Sequence, residues 1–329
     1  MSDVQAERRT DRPALPDAAA RRFAGGTARG IGRLLRVVAW LNFIGNVVII
    51  ATGGAVRLTG SGLGCPTWPL CTPDSLVPTP ALVDEGIHSL IEFGNRLMSP
   101  VLGVFALALV ILVWPLRAGR RDLFALACVV LGGIIAQAVV GGITVWTGLN
   151  PFIVGFHYVA SLTLVSITAA LLVRIYAAPG PRVLAVPRWY AGLTHATTLV
   201  LVLTIVFGVL TTGAGPHSGD AAAGRNGFDA TLLEHVHAWP GYALLALTLA
   251  LAVTAWARRL PTRRWVTALL AVEIVQVAVG LYQARNGLPE LAVGVHMVLA
   301  ALTAAAMTVV VLRLKASDTS AATMDTAAS

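Results

Sequence analysis

The chain has 329 residues, of which 56% are hydrophobic and only 12% are charged. This composition excludes an ordinary soluble domain and indicates an integral membrane protein surrounded by lipid. The formal net charge of +8 comes from short basic clusters between apolar segments, which is the pattern that sets membrane orientation and not one that indicates a nucleic-acid partner.

The two ends of the chain differ from the apolar middle. Residues 1–35 are rich in Ala, Arg, Asp and Pro, and residues 314–329 are rich in Ser, Thr and Ala, so each is predicted to be a disordered cytoplasmic segment. Between them lie eight apolar segments, each long enough to span a bilayer as a helix. These segments cover residues 37–56, 88–114, 122–146, 153–175, 190–212, 233–256, 265–284 and 291–312. The predicted fold class is therefore an all-α integral membrane protein with eight transmembrane helices.

The apolar region contains an internal repeat. Three pairs of matching positions are 139 residues apart: Gln137 and Gln276, Gly141 and Gly280, and His157 and His296. Two further pairs are 142 residues apart: Glu92 and Glu234, and Asn95 and His237. The repeat predicts two four-helix bundles, at residues 36–176 and 190–313, joined by a linker at residues 177–189.

The basic residues predict how the chain crosses the membrane. Arg and Lys are concentrated in the first arm, in alternate connections and after the last helix, whereas the other connections contain few of them. Basic connections stay on the cytoplasmic side. We therefore expect a cell-membrane protein whose linker and two termini are cytoplasmic, with the longer loops at residues 57–87 and 213–232 outside.

The outer loop at residues 57–87 contains two cysteines, Cys65 and Cys71. Because the space outside the cell is oxidising, a disulfide between them is expected. The alternative is a pair of free thiols, which is uncommon in that compartment.

Histidines in the second half indicate a haem site. His237 and His296 are predicted near the outer ends of two different helices, at similar depth. Two imidazoles from separate helices suit the two axial positions of a haem iron, whereas zinc or copper would call for further Cys or His ligands nearby. His235 is the other candidate ligand on the same segment, but the repeat favours His237. The alternative to a haem site is a pair of histidines with a purely structural role.

The first half departs from this pattern at one position. Asn95 stands where the second half has His237, and an amide is a poor ligand for haem iron. His157 could then hold a haem from one side, which leaves the other side open for chemistry. The two halves are thus predicted to differ, one carrying electrons and the other carrying out a reaction.

A carboxylate lies close to Asn95 in the sequence. Glu92 is three residues before Asn95 and therefore near the same helix face, with His88 four residues before it and Arg96 four after it. A carboxylate beside an apolar pocket suits a proton-handling role. The alternative is a structural ion pair between Glu92 and Arg96.

Two more polar residues have no role that the sequence assigns. Glu273 falls in the middle of the seventh segment, where polar groups are costly and usually functional, and Ile134 is its repeat counterpart. His217 lies in the outer loop that follows the fifth segment. Both roles stay open at this stage.

Several strings of this sequence resemble the heme A synthase family across residues 36–313. The strings are Gly53–Pro66, Trp68–Cys71, Ile91–Arg96, Gly155–His157 and Gly215–Asp220, together with the His237 and His296 pair. The Ala-, Arg- and Gly-rich composition is similar to that of actinobacterial members. Asn95 departs from the family pattern, in which many members have His.

The resemblance implies an activity. Family members oxidise the C8 methyl group of heme O to a formyl group by successive hydroxylations, with oxygen from water, and so make heme A for terminal oxidases. By resemblance, His237 and His296 hold heme b, His157 binds the iron of the substrate haem, Glu92 is catalytic and Cys65 pairs with Cys71. The pocket of the substrate haem would include Asn95, Arg96, His88 and Arg57.

The resemblance also suggests partners, namely heme O synthase and cytochrome oxidase assembly factors. It does not decide whether the chain forms a homo-oligomer or which molecule accepts the electrons.

Two other functions compete with this one. A non-catalytic b-type haem electron carrier would hold haem in the second half only. A transporter would fit the internal repeat, but both halves here begin on the same side of the membrane, and the histidines lie near one face.

Overall fold

The structure is a computed structural model that describes the backbone of residues 18–84 and 86–317 and the side chains from Gly32 onward. Within these residues the α-helices are α1 Ala18–Leu58, α2 Pro80–Asp84, α3 His88–Val113, α4 Arg121–Trp146, α5 Pro151–Ile175, α6 Arg188–Ala214, α7 Ala230–Ala257, α8 Arg263–Arg285 and α9 Glu290–Leu312. All except α2 are long and apolar enough to cross a membrane, which gives eight candidate spans among the described residues. The predicted all-α membrane fold with eight spanning helices is confirmed.

The connections between paired helices repeat in conformation as well as in sequence. Gly148 and Leu149 both have positive φ, 57° and 59°, in the turn between α4 and α5. Gly287 and Leu288, which are 139 residues later, have φ of 73° and 58° in the turn between α8 and α9. Leucine rarely adopts this left-handed region, so its use at both matching positions supports a true duplication.

Each half of the chain forms a ring of four helices. In the first half α1, α3, α4 and α5 pack in sequence around the ring, and in the second half α6, α7, α8 and α9 do the same. The two rings meet through α5 and α9, with α1 against α9 and α6 against α5. Matching glycines allow this close approach, because a Cβ atom on Gly155 would lie 2.6 Å from Val209, and one on Gly294 would lie 3.2 Å from Leu58.

The structure corrects the prediction for the two ends of the chain. Helix α1 begins at Ala18, so residues 18–35, predicted to be disordered, are helical; Ala and Arg are good helix formers even without an apolar run. Residues 315–317 were also expected to be disordered, but they form strand β2, which pairs antiparallel with β1 at Arg182–Leu184 in the linker. The pairing arises because α5 and α9 are neighbours and end side by side. The rest of the predicted arm and tail, residues 1–17 and 318–329, lies outside the described residues.

The long loops lie at the opposite end of the bundles from this β-ribbon, and we call that end the loop end. The predicted disulfide between Cys65 and Cys71 is present, and both cysteines are fully buried. The two long loops touch, since the backbone N–H of Gly62 donates to the carbonyl of Gly219 at 2.7 Å. The two long loops are therefore in contact at the loop end.

Candidate functional site

The second bundle brings the side chains of two histidines close together. The ring centroids of His237 on α7 and His296 on α9 are 6.2 Å apart, and the rings are nearly perpendicular, with an interplanar angle of 84°. Both lie in the half of the bundle nearer the loop end, about 10 Å from the start of their helices at 1.5 Å per residue. This separation leaves room for one metal ion bonded to both rings at about 2.0 Å.

Hydrogen bonding selects the nitrogen that His237 can offer. Its Nδ1 donates to the backbone carbonyl of Thr204 at 2.9 Å, so the proton is on Nδ1 and the lone pair is on Nε2. A bond of this kind fixes the tautomer and the orientation of an imidazole ligand. The Nδ1 atom of His296 is buried and lies near the backbone of Gln276 on α8.

Glycines make space beside both rings. A Cβ atom on Gly208 of α6 would lie 2.8 Å from Cε1 of His237, and one on Gly280 of α8 would lie 3.0 Å from Cε1 of His296. The same arrangement recurs in the first bundle, where a Cβ on Gly141 would lie 3.6 Å from Cε1 of His157. Each imidazole of the repeat therefore packs against a glycine of a neighbouring helix.

The rival histidine does not join this pair. His235 is exposed, and its Nδ1 bonds to the carbonyl of Thr231 at 2.8 Å, on its own helix. Among the described side chains, no three of the types His, Cys, Asp and Glu cluster as a protein-only metal site would require. Two imidazoles leave the remaining ligand positions of an iron to the four nitrogens of a porphyrin, so the donor set fits haem.

The first bundle carries the asymmetric version of the site. The amide oxygen of Asn95 accepts a hydrogen bond of 2.7 Å from the hydroxyl of Thr52 on α1, so this side chain is held by a neighbour. The Nδ1 atom of His157 is buried and without a partner among the described residues. The backbone carbonyl of His157 accepts from Gln137 at 2.9 Å and from Ser161 at 2.9 Å, which ties α4 to α5 beside the imidazole.

Glu92 is 4% exposed and is fully engaged by its surroundings. One carboxylate oxygen forms an ion pair with Arg96, and the other accepts from the backbone N–H of Cys65 at 2.7 Å. Arg96 also donates to the carbonyls of Cys65 and Thr67, at 2.9 and 2.8 Å. The ion pair considered in the sequence analysis is therefore present, and it clamps the disulfide loop to α3.

The same loop covers the end of the first bundle. Trp68 packs against Gly142 of α4 so closely that a Cβ there would collide with the indole. The indole N–H of Trp146 donates to the carbonyl of Trp68 at 3.1 Å. Gly142 is next to Gly141, which contacts His157, so the loop contacts α4 at the level of the histidine of the first half.

The other predicted pocket residues contact loops or the second half. His88 is exposed at the first turn of α3, and its Nδ1 lies 2.9 Å from the hydroxyl of Ser61. Arg57 at the end of α1 donates to the carbonyl of Thr212 on α6 at 2.9 Å. Nε2 of His217 donates to the carbonyl of Leu288 at 3.0 Å and so anchors its loop to the turn between α8 and α9.

Glu273 lies inside the second bundle, away from the imidazole pair. It is 2% exposed, and one of its oxygens accepts a 3.1 Å hydrogen bond from Thr248 of α7. The other oxygen has no partner among the described residues.

Sequence reasoning missed the residues that support the imidazoles. The carbonyl of Thr204 carries no sequence signal, because every residue has a carbonyl group. Gly208 is one of 32 glycines, and only its place opposite His237 distinguishes it. Thr52 could have been found only by knowing that α1 and α3 are neighbours in the ring.

Fold and site together define a multi-pass membrane protein with a duplicated four-helix bundle and an imidazole pair suited to haem. The chain belongs to the COX15-CtaA family of cytochrome oxidase assembly proteins, whose family model matches residues 36–217. The matched region contains the first bundle and α6, with Glu92, Asn95 and His157, and it ends before His237.

Curated relatives agree with this family. The chain is 29% identical over 187 residues to a protein of Halalkalibacterium halodurans named heme A synthase, covering 55% of this chain and 59% of that protein. It is 28% identical over 196 residues to the heme A synthase of Alkalihalophilus pseudofirmus, covering 59% and 63%. With the heme A synthase of Listeria monocytogenes it shares 32% over 131 residues, covering 40% and 42%. The matches thus span about three fifths or less of the relatives' lengths.

Proposed function

We propose that this chain is a heme A synthase, which oxidises the C8 methyl group of heme O to a formyl group by successive hydroxylations and so provides heme A for terminal oxidases. The names of the relatives and the family support this activity. The observation that carries the proposal is the asymmetry of the duplicated site, which has facing imidazoles in one bundle and an imidazole with an amide at the equivalent positions in the other.

In this proposal the bundle at residues 190–313 holds heme b between His237 and His296. The 6.2 Å separation of the rings, the free Nε2 of His237 and the packing of the two imidazoles against Gly208 and Gly280 support this assignment. A haem with two imidazole ligands, when bound, takes up and releases single electrons. The protein's part is to hold the two rings in place and to exclude water from them.

The bundle at residues 36–176 binds the substrate haem, with His157 as the iron ligand. Asn95 cannot replace a second imidazole, so one side of the iron stays open. Arg57 brings positive charge to the loop end of this bundle, which suits the carboxylates of a haem, and Arg96 shapes the same end through its ion pair with Glu92. His88 lies at the same end, at the first turn of α3.

Glu92 is the proposed proton acceptor. Conversion of a methyl to a formyl group with oxygen from water releases protons and electrons, so a base is needed beside the substrate. Hydrogen bonds from Arg96 and from the N–H of Cys65 hold the carboxyl group of Glu92 in a fixed position. The disulfide loop that supplies this N–H also covers the bundle and limits access of bulk water.

We further propose that the protein lies in the cell membrane with its termini and β-ribbon in the cytoplasm and its haem sites near the outer face. The arginines of alternate connections support this orientation. The disulfide at the loop end supports it independently, because an oxidising compartment favours such a bond. Heme O synthase is the proposed source of substrate, and cytochrome oxidase assembly factors are the proposed receivers of product.

The test is heme A formation by membranes that contain heme O and either the wild-type protein or Glu92→Gln. Loss of the proton acceptor should reduce the rate by about 100-fold or more. Glu234→Gln is the matched control, because Glu234 is the repeat counterpart of Glu92 and is exposed. Heme A formation by Glu92→Gln at the wild-type rate would refute the assignment of Glu92. No heme A formation by wild-type membranes would refute the activity.

A further inference from the structure

Glu273 is a buried carboxyl group without a cation beside it. The charged residues of α8 itself lie near its ends, at Arg263, Arg264 and Arg285. The helices that pack against α8 are α7 and α9, and all their titratable side chains lie nearer the loop end: Glu234, His235, His237 and Tyr242 on α7, and Glu290 and His296 on α9. Thr248, its one hydrogen-bond partner among the described side chains, is neutral. An ionised carboxylate in this apolar place is costly, so Glu273 is expected to be ionised only while a positive charge in the same bundle balances it, and to be protonated otherwise.

Glu273 begins a line of unpaired acceptors along α8. The side-chain oxygens of Gln276 and Gln283 are buried and, like one oxygen of Glu273, have no hydrogen-bond partner among the described residues. Positions 273, 276, 280 and 283 fall on one face of a helix with 3.6 residues per turn. Gly280 on this face contacts His296, so the line passes the imidazole and runs on to the loop end.

The first bundle has no such line at the matching positions. Ile134, the counterpart of Glu273, is apolar and 5% exposed. Gln137, the counterpart of Gln276, donates to the carbonyl of His157. Thr144, the counterpart of Gln283, donates to the carbonyl of Gly141 at 2.6 Å. The unpaired oxygens are therefore specific to the second half and are not a general result of the fold.

Buried acceptors in a folded protein find donors, and water is the donor where protein supplies none. We propose that Glu273, Gln276 and Gln283 line a hydrated path along α8, and that Glu273 is the proton-holding residue at its inner end. The inference rests on the proposed heme b site, because it gives this path a purpose. Glu273 takes up a proton when an electron arrives at the imidazole pair, and it releases that proton when a one-electron membrane oxidant removes the electron.

This exchange balances charge. One added electron and one added proton leave the net charge of the bundle unchanged, which matters in a low-dielectric interior. The face from Gly280 to Glu273 covers seven residues, about 10 Å of helix, so the two charges would interact without direct contact. Glu273 thus balances the charge of the added electron through its proton and does not contact the iron.

The experiment is redox-difference infrared spectroscopy on the full-length haem-loaded protein, in H2O and in D2O. On reduction we expect a C=O band of a protonated carboxyl group that shifts to lower frequency in D2O. The band should be absent in Glu273→Gln and shifted to higher frequency in Thr248→Val, which removes the hydrogen bond to the carboxyl. Glu234→Gln, at an exposed position of α7, should retain it.

The pH dependence of the midpoint potential gives a second readout. The potential of the wild-type protein should fall as pH rises, because reduction takes up a proton, and the slope should be flatter in Glu273→Gln. No carboxyl band in the haem-loaded wild type, or a band and slope unchanged in Glu273→Gln, would overturn the inference while leaving the heme b site intact. A wild-type protein that binds no haem would instead overturn the proposed function, and this inference with it.

Discussion

The hydroxyl of Tyr158 on α5 donates a 2.8 Å hydrogen bond to the backbone carbonyl of Met297 on α9. Met297 occupies in the second half the position that Tyr158 occupies in the first, 139 residues earlier. Each residue directly follows a histidine of the repeat, His157 or His296. The two proposed haem sites are therefore joined through equivalent positions at the interface between the bundles.

Removal of this bond should loosen the interface. Tyr158→Phe is expected to lower the free energy of unfolding by about 1 kcal/mol, because the variant lacks the hydroxyl that bonds to Met297. Thermal unfolding in detergent measures the effect. Tyr282→Phe is the control, because Tyr282 is 56% exposed and its hydroxyl makes no hydrogen bond with the described residues. Equal melting temperatures for the two variants would contradict a stabilising role for the Tyr158 bond.

Added bulk at Gly208 should displace His237. A Cβ there would lie 2.8 Å from the imidazole, so Gly208→Ala is expected to reduce heme b occupancy by several-fold while the fold persists. Gly192→Ala, on the same helix but with open space around its Cα, should bind haem as the wild type does. Haem content per chain, measured by absorption after purification, makes the comparison. Full occupancy in Gly208→Ala would argue against ligation by His237.

An imidazole at position 95 should convert the first site into a copy of the second. Asn95→His is expected to give a second six-coordinate haem signal in visible and electron paramagnetic resonance spectra. Substrate conversion should fall, because the open position is filled. Thr52→Val removes the hydrogen bond to Asn95 without adding a ligand and should give no such signal. A spectrum of Asn95→His identical to wild type would mean that residue 95 does not face the iron.

The disulfide should stabilise the loop that holds Glu92 and Arg96. Replacement of Cys65 and Cys71 by Ser is expected to reduce stability by about 2 kcal/mol, as for a short closed loop. It should also slow heme A formation, because the N–H and carbonyl of Cys65 contact both charged side chains. Cys128→Ser, at an exposed free cysteine, is the control. Unchanged stability and rate in the double variant would contradict the role of the disulfide loop in holding Glu92 and Arg96.

Local patterns in the sequence predicted much of this structure. The lengths of the apolar segments predicted the eight spans, because a chain in lipid must form helices to satisfy its backbone hydrogen bonds. Residues such as Gly148 and Pro151 predicted where the helices end. The repeat favours His237 over His235, and the ring of His237 lies 6.2 Å from that of His296. These successes depend on periodicity and spacing, which act over short stretches of chain.

Contacts between distant segments were harder to predict. The pairing of β1 with β2 depends on α5 and α9 being neighbours, which no local pattern specifies. The engagement of Glu92 by the N–H of Cys65 depends on how a loop folds back over α3. The helical conformation of residues 18–35 reflects propensity in a stretch whose charge and lack of an apolar run predict disorder.

The most direct test of the account is extraction and chromatography of the haems bound to purified protein from cells that make heme O. Wild type should carry heme b together with heme O or heme A. His237→Ala should lose mainly heme b, and His157→Ala should lose mainly heme O and heme A. Heme b alone in the wild type would instead support a simple electron carrier, and a colourless protein would contradict both haem sites.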